Sequence, residues 1–94
     1  MTAVKSDLAG LRKKQPDLIH SENRKVLSHV QRQEQEWIIH TLMLDGISVP
    51  FRFKRKRFYS SLQGCRVNLS YYPTFERVAD MQLEVMKVVR IRRS

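Results

Sequence analysis

Two apolar runs meet at Asp45-Gly46, and no other feature of the chain constrains its fold as tightly. On one side, EWIIHTLML is dense in aromatic, β-branched and aliphatic residues, the types that suit a pleated, half-buried surface. On the other, ISVPFRFKRKR alternates, with Val49, Phe51 and Phe53 on one face and Arg52, Lys54 and Lys56 on the other. A period of two is the signature of a strand with one buried face. Asp-Gly is the dipeptide best suited to a type I′ turn, whose two central residues both need positive φ. The two runs therefore predict an antiparallel hairpin with strands over about 36–44 and 47–55. Pro50 has no N–H to give a ladder, which predicts a local edge or a bulge in the second strand.

Downstream, CRVNLSYY alternates again. Val67, Leu69 and Tyr71 face one way, Arg66, Asn68, Ser70 and Tyr72 the other, and Pro73 is expected to end a strand over about 65–72. The closing segment MQLEVMKVVRIRR suits either a helix or a strand. A strand over about 81–92 is preferred for its β-branched content, with Met81, Leu83, Val85, Val89 and Ile91 opposite Gln82, Glu84, Arg90 and Arg92. Upstream, Ser21 stands where an N-cap belongs, Glu22 lies in the first turn, and Val26, Leu27 and Val30 recur at helical spacing, which predicts a helix over about 22–34. Trp37 then reads as core, or as a wedge between helix and sheet, with a subunit contact as its other role.

These elements give an α+β, mainly β fold: an N-terminal helix followed by a four- or five-stranded antiparallel sheet. In so short a chain the sheet is expected to curl into a small barrel, OB-like or Sm-like, to cover its apolar face. The order of helix, strand and LMLDGISVPF resembles the opening of an Sm-like chain. That resemblance spans about a dozen residues and implies a fold rather than an activity. Residues 1–17 read as a flexible basic tail and residues 18–94 as one small domain.

The charge of this domain is uneven. Lys and Arg number 18 against 9 Asp and Glu, a net charge of +9, and no acid stands between Asp45 and Glu76. Such a balance is expected of proteins that meet nucleic acid, anionic lipid or an acidic protein. A single cysteine, Cys65, excludes an intramolecular disulfide, and no run approaches the ~18 apolar residues of a membrane span. The expectation is a cytoplasmic protein with no membrane association. His20, His29 and His40 lack metal-ligand spacing, no nucleophile is set beside a base and an orienting acid, and no glycine-rich phosphate loop occurs. Neither enzymatic activity, nor a cofactor, nor a bound metal is expected.

Alternate cations on a strand stand about 6–7 Å apart, close to the spacing of successive phosphates. Aromatic side chains nearby offer stacking platforms for bases. The residues expected to bind are Arg52, Lys54, Arg55, Lys56, Arg57, Tyr59, Arg66 and Tyr72, with RNA or single-stranded DNA as partner in preference to duplex. Strict alternation would turn Arg55 and Arg57 inward, so the strand must end, twist or bulge near Lys54 to release them. The alternative is a protein-interaction module or homo-oligomer, pairing through VPFRFKRKRF as an edge strand with an acidic partner.

Overall fold

A computed structural model describes residues 17–94. The expected basic tail lies, apart from Asp17, outside the described residues. Five strands follow: β1 (Ile19–Glu34), β2 (Trp37–Leu44), β3 (Phe51–Arg55), β4 (Arg66–Val78) and β5 (Met81–Arg93). Their order is β1-β2-β3-β5-β4, and the sheet closes into a ring because β1 pairs with both β2 and β4. All neighbours are antiparallel except β3 and β5, which run parallel over Phe51↔Met86 and Arg52↔Lys87. Among the described residues no helix is long and apolar enough to cross a membrane.

The expected helix over about 22–34 is absent: those residues form most of β1. Helical spacing of Val26, Leu27 and Val30 was misleading, for only Val26 is buried, while Leu27 and Val30 are exposed. The ladder to β2 turns Gln31 toward His40 and sets Val30 opposite Thr41. Because the inward positions include His29 and Gln31, the strand carries no apolar alternation, and tertiary pairing overrides the local pattern. β1 also bends midway. Register shifts fall between Ser21 and Arg24 and between Val26 and Ser28, and Asn23 sits between the two halves with φ of 58°. Asparagine tolerates the left-handed region better than most residues, and bulges bend the strand that carries them.

The hairpin of β2 and β3 forms, though not through a type I′ turn. Only Gly46 has positive φ there, 84°, and Ile47 N–H donates to Leu44 O at 3.2 Å. The connection runs on to Pro50, so β3 begins at Phe51 rather than near 47 and pairs Leu42 with Phe51. Pro50 precedes the strand, and its carbonyl accepts from Met86 N–H at 2.8 Å.

Pro73 does not end β4, which continues to Val78. The pairing of β4 with β1 runs no further than Tyr71, so Pro73 lies on an edge where a missing N–H breaks no ladder. The closing segment is a strand, as preferred. Its alternation shifts at a bulge: Ser70 pairs with Arg90 and Tyr71 with Val88, leaving Val89 unpaired and 52 % exposed rather than on the apolar face.

Val26, Leu42, Leu44, Phe51, Phe53, Val67, Leu69, Tyr71 and Val88 form one core cluster inside the ring. Phe51 and Phe53 are inward, as alternation requires, and Phe51 meets Tyr71 edge-on at 4.8 Å. Burial of each phenylalanine contributes about 1.5–3 kcal/mol. The segment from Lys56 to Cys65 lays Tyr59 and Leu62 against this cluster.

Candidate nucleic-acid interface

The outer face of the ring is built by alternation. On β2, Ile38, His40, Leu42 and Leu44 are buried, so Trp37, Ile39, Thr41 and Met43 face outward. Register then sets Arg32, Ile39 and Lys54 side by side across β1, β2 and β3. A second lateral row joins Val30, Thr41, Arg52, Lys87 and Tyr72 across all five strands. Neighbours in such a row are about 4.8 Å apart.

β4 and β5 continue past their contact with the rest of the ring as a hairpin, and its Glu76, Arg77 and Val78 line, with residues of β1, β2, β3 and β5, a cleft of about 520 Å³. Five cations line it, Arg32, Arg52, Lys54, Arg77 and Lys87, against two carboxylates, Glu34 and Glu76. Ile39 lies in its floor. At the turn between β1 and β2, Trp37, Gln35, Ile39 and Lys54 line an adjoining depression. The two concavities adjoin, sharing Glu34, Ile39 and Lys54, and are together termed the groove.

The candidate residues divide between this groove and other roles. Arg52 is in the groove, but its Nε donates to Thr41 Oγ1 at 3.2 Å and its guanidinium pairs with Glu76. Lys54 is exposed there and makes no ion pair among the described residues. Lys56 lies beside the tryptophan end, its ammonium 4.2 Å from the Trp37 ring centroid and 3.6 Å from Glu36. A cation over an indole face at that distance is attracted by the ring quadrupole. Tyr72 extends the same face beyond Lys87.

Arg55, Arg57, Tyr59 and Arg66 are placed elsewhere. β3 ends at Arg55, whose guanidinium folds back 4.9 Å over the Phe53 ring and donates to Lys54 O at 2.8 Å. Arg57 is exposed in the following loop, 5.9 Å from the Tyr59 ring. Tyr59, expected as a stacking platform, is instead part of the packing: its ring lies 4.5 Å from His40 and 6.1 Å from Phe53. Arg66 donates to Asn23 O at 3.0 Å, bracing the bend in β1. As for pairing edges, β3 is bonded to β2 throughout and to β5 at Phe51 and Arg52, so its free side runs only from Phe53 to Arg55.

Four groove residues were not among those expected to bind: Arg32, Trp37, Arg77 and Lys87. Trp37 is neither core nor wedge but an outward residue, half-buried at the end of the groove. Alternation along WIIHTLML, counted from His40 and Leu42 inward, would have turned it out. Arg77 could not be found that way, because it depends on β4 passing Pro73.

Beneath the groove, inward side chains fasten the loop that carries Arg57. Gln31 Nε2 donates to Tyr59 O and Gln31 Oε1 accepts from Tyr59 N–H, both at 2.8 Å. Leu62 N–H donates to His29 Nδ1 at 3.0 Å, His29 Nε2 lies 3.0 Å from His40 Nδ1, and His40 Nε2 lies 3.2 Å from Arg57 O. A backbone N–H can only donate and a carbonyl only accept, so one assignment satisfies the chain: both imidazoles are neutral and both carry their proton on Nε2. Burial pushes both pKa values below the ordinary 6.5. For His29 the neighbouring His40 adds to the depression; for His40 the bond to Arg57 O opposes it and Arg55 adds to it.

No family model, curated protein or solved structure matches the chain.

Proposed function

We propose that the groove on the outer face of β1, β2 and β3 binds single-stranded nucleic acid, RNA or DNA. One observation carries the reading: five cations line one concavity and an outward tryptophan lines a second that adjoins it at Glu34, Ile39 and Lys54. A polyanion wider than one strand is disfavoured at this face, because the tip of the β4–β5 hairpin lines the cleft opposite β2 and β3. Phosphates would lie along Lys54, Lys87, Arg32 and Arg77. A base stacked on Trp37 would contribute about 1–3 kcal/mol. The ring order also favours the OB-like alternative over the Sm-like one. In OB-type barrels the face of the second and third strands, flanked by the loops joining strands one to two and four to five, receives oligonucleotides. Here the same flanks are the turn at Gln35 and the β4–β5 hairpin.

Such binding is dominated by phosphate neutralisation. With about four contacts, the log-log slope of affinity on salt for a single strand is about −3. The test is a fluorescence-anisotropy titration of a labelled oligonucleotide at two salt concentrations, with the native chain and with Lys54→Glu plus Lys87→Glu. The double variant is expected to bind at least tenfold more weakly and with a shallower slope. Equal affinity of the two proteins, or no binding at low salt, would refute the proposal.

A further inference from the structure

We infer that the bound strand leaves the groove along β5 and is held by a second phosphate subsite, formed by Arg90 and Arg92 with His20, Asn68 and Ser70. This rests on the proposed reading and extends it to a part of the surface far from β2.

The bulge at Val89 makes the subsite. In an unbroken strand Lys87 and Arg90, three residues apart, point to opposite faces. Here Val88 is buried and Val89 is the extra, exposed residue, so the phase changes between them. Lys87 pairs with Tyr72, Arg90 with Ser70 and Arg92 with Asn68. Since Tyr72, Ser70 and Asn68 alternate along one face of β4, Lys87, Arg90 and Arg92 all point outward. Three cations thus stand in file along one strand, beginning beside Arg52 at the edge of the groove.

The far end of this file is concave. A cleft of about 290 Å³ is lined by His20, Asn68, Ser70, Arg90 and Arg92, with Glu22 the one carboxylate among its walls. His20 Nδ1 lies 2.7 Å from Ser70 Oγ, which fixes the imidazole in the lateral row His20, Ser70, Arg90. Lys87, Arg90 and Arg92 take part in no ion pair among the described residues, whereas Arg52 and Lys56 do. Arg90 and Arg92, two residues apart, stand about 6–7 Å from one another, the interval of successive phosphates. No Phe, Tyr or Trp lines this cleft, and the His20 ring is tied to Ser70, so its cations address the phosphodiester backbone more than the bases. The file from Lys87 by way of Arg90 to Arg92 is about 13–16 Å long, enough for roughly two phosphate intervals beyond the groove.

Oligothymidylates of three, six and nine nucleotides, titrated into the native chain and into Arg90→Glu plus Arg92→Glu, test the path. The trimer fits the groove alone and is expected to bind both proteins within twofold, which also shows the variant to be folded. The nonamer is expected to bind the variant at least fivefold more weakly than the native chain, with a salt slope shallower by about 1.4, two contacts at about 0.7 each. A milder pair, Arg90→Gln with Arg92→Gln, should lose a smaller factor in the same direction. If trimer and nonamer both bind the variant as they bind the native chain, the subsite is refuted and the groove stands. If no oligonucleotide binds the native chain, the groove and the subsite are refuted together.

Discussion

His40 is completely buried, yet it is the residue on which the loop after β3 depends. Its ring lies parallel to Phe53 at 4.7 Å, while its two nitrogens connect His29 to Arg57 O. A proton added to His29 would set Nδ1–H against Leu62 N–H; one added to His40 would set it against His29 Nε2–H. The positive charge of Arg55 also disfavours a cation at His40. The folded state therefore refuses protons that the unfolded chain accepts near pH 6.5, so stability is fully present above that value and falls as pH drops below it. Urea midpoints are expected to fall between pH 7.5 and pH 5. His40→Leu should flatten that dependence while costing about 1–3 kcal/mol at neutral pH, because the carbonyl of Arg57 and His29 Nε2–H lose their partner. A pH-independent midpoint in the native chain would contradict the tautomer assignment. None of this was legible from spacing. His29 and His40 are eleven residues apart, and only the β1–β2 register brings them together.

At the level of elements, the hairpin of β2 and β3 and the first part of β4 were legible because each buries one face, and alternation records that burial directly; β5 was legible as a strand, but Met81, Leu83 and Val89 of its expected apolar face are exposed. β1 was not. A strand that turns His29 and Gln31 inward shows no apolar period, and Val26, Leu27 and Val30 then imitate a helix. Bulges were hidden for a related reason: Val89 is as apolar as Val88, so composition cannot tell which of the two faces out. Polar inward positions on β1 nonetheless have work to do, since Gln31 clamps both backbone groups of Tyr59 as a neighbouring strand would. Gln31→Ala is expected to cost about 1–3 kcal/mol, two net hydrogen bonds, and to speed amide hydrogen exchange at Tyr59 and Leu62 far more than at Leu42. Uniform acceleration across the protein would mean that the loop is not fastened as a separate unit.

Across the whole molecule, the run FRFKRKRFY looked in sequence like the interface itself, and the ring redistributes it. Phe51 and Phe53 hold the core, Arg55 and Tyr59 pack at its end, and Arg57 lies in the loop. Lys54 and Arg52 alone reach the groove, with Lys56 at its tryptophan end. The remaining cations arrive from β1, β4 and β5, strands distant in sequence, and Arg52 and Lys56 are partly neutralised by Glu76 and Glu36. In the proposed reading, net charge sets the sign of the partner, and closure of the ring sets where such a partner would lie. The most direct test uses Trp37, the one tryptophan of the chain, which is half-buried at the end of the groove. Titration with a short unlabelled oligonucleotide at low salt, followed by intrinsic fluorescence, is predicted to quench Trp37 as a base stacks on it, and added salt should restore the emission. Saturable binding, seen by anisotropy of a labelled strand, with no change at Trp37 would place the nucleic acid elsewhere and contradict the groove.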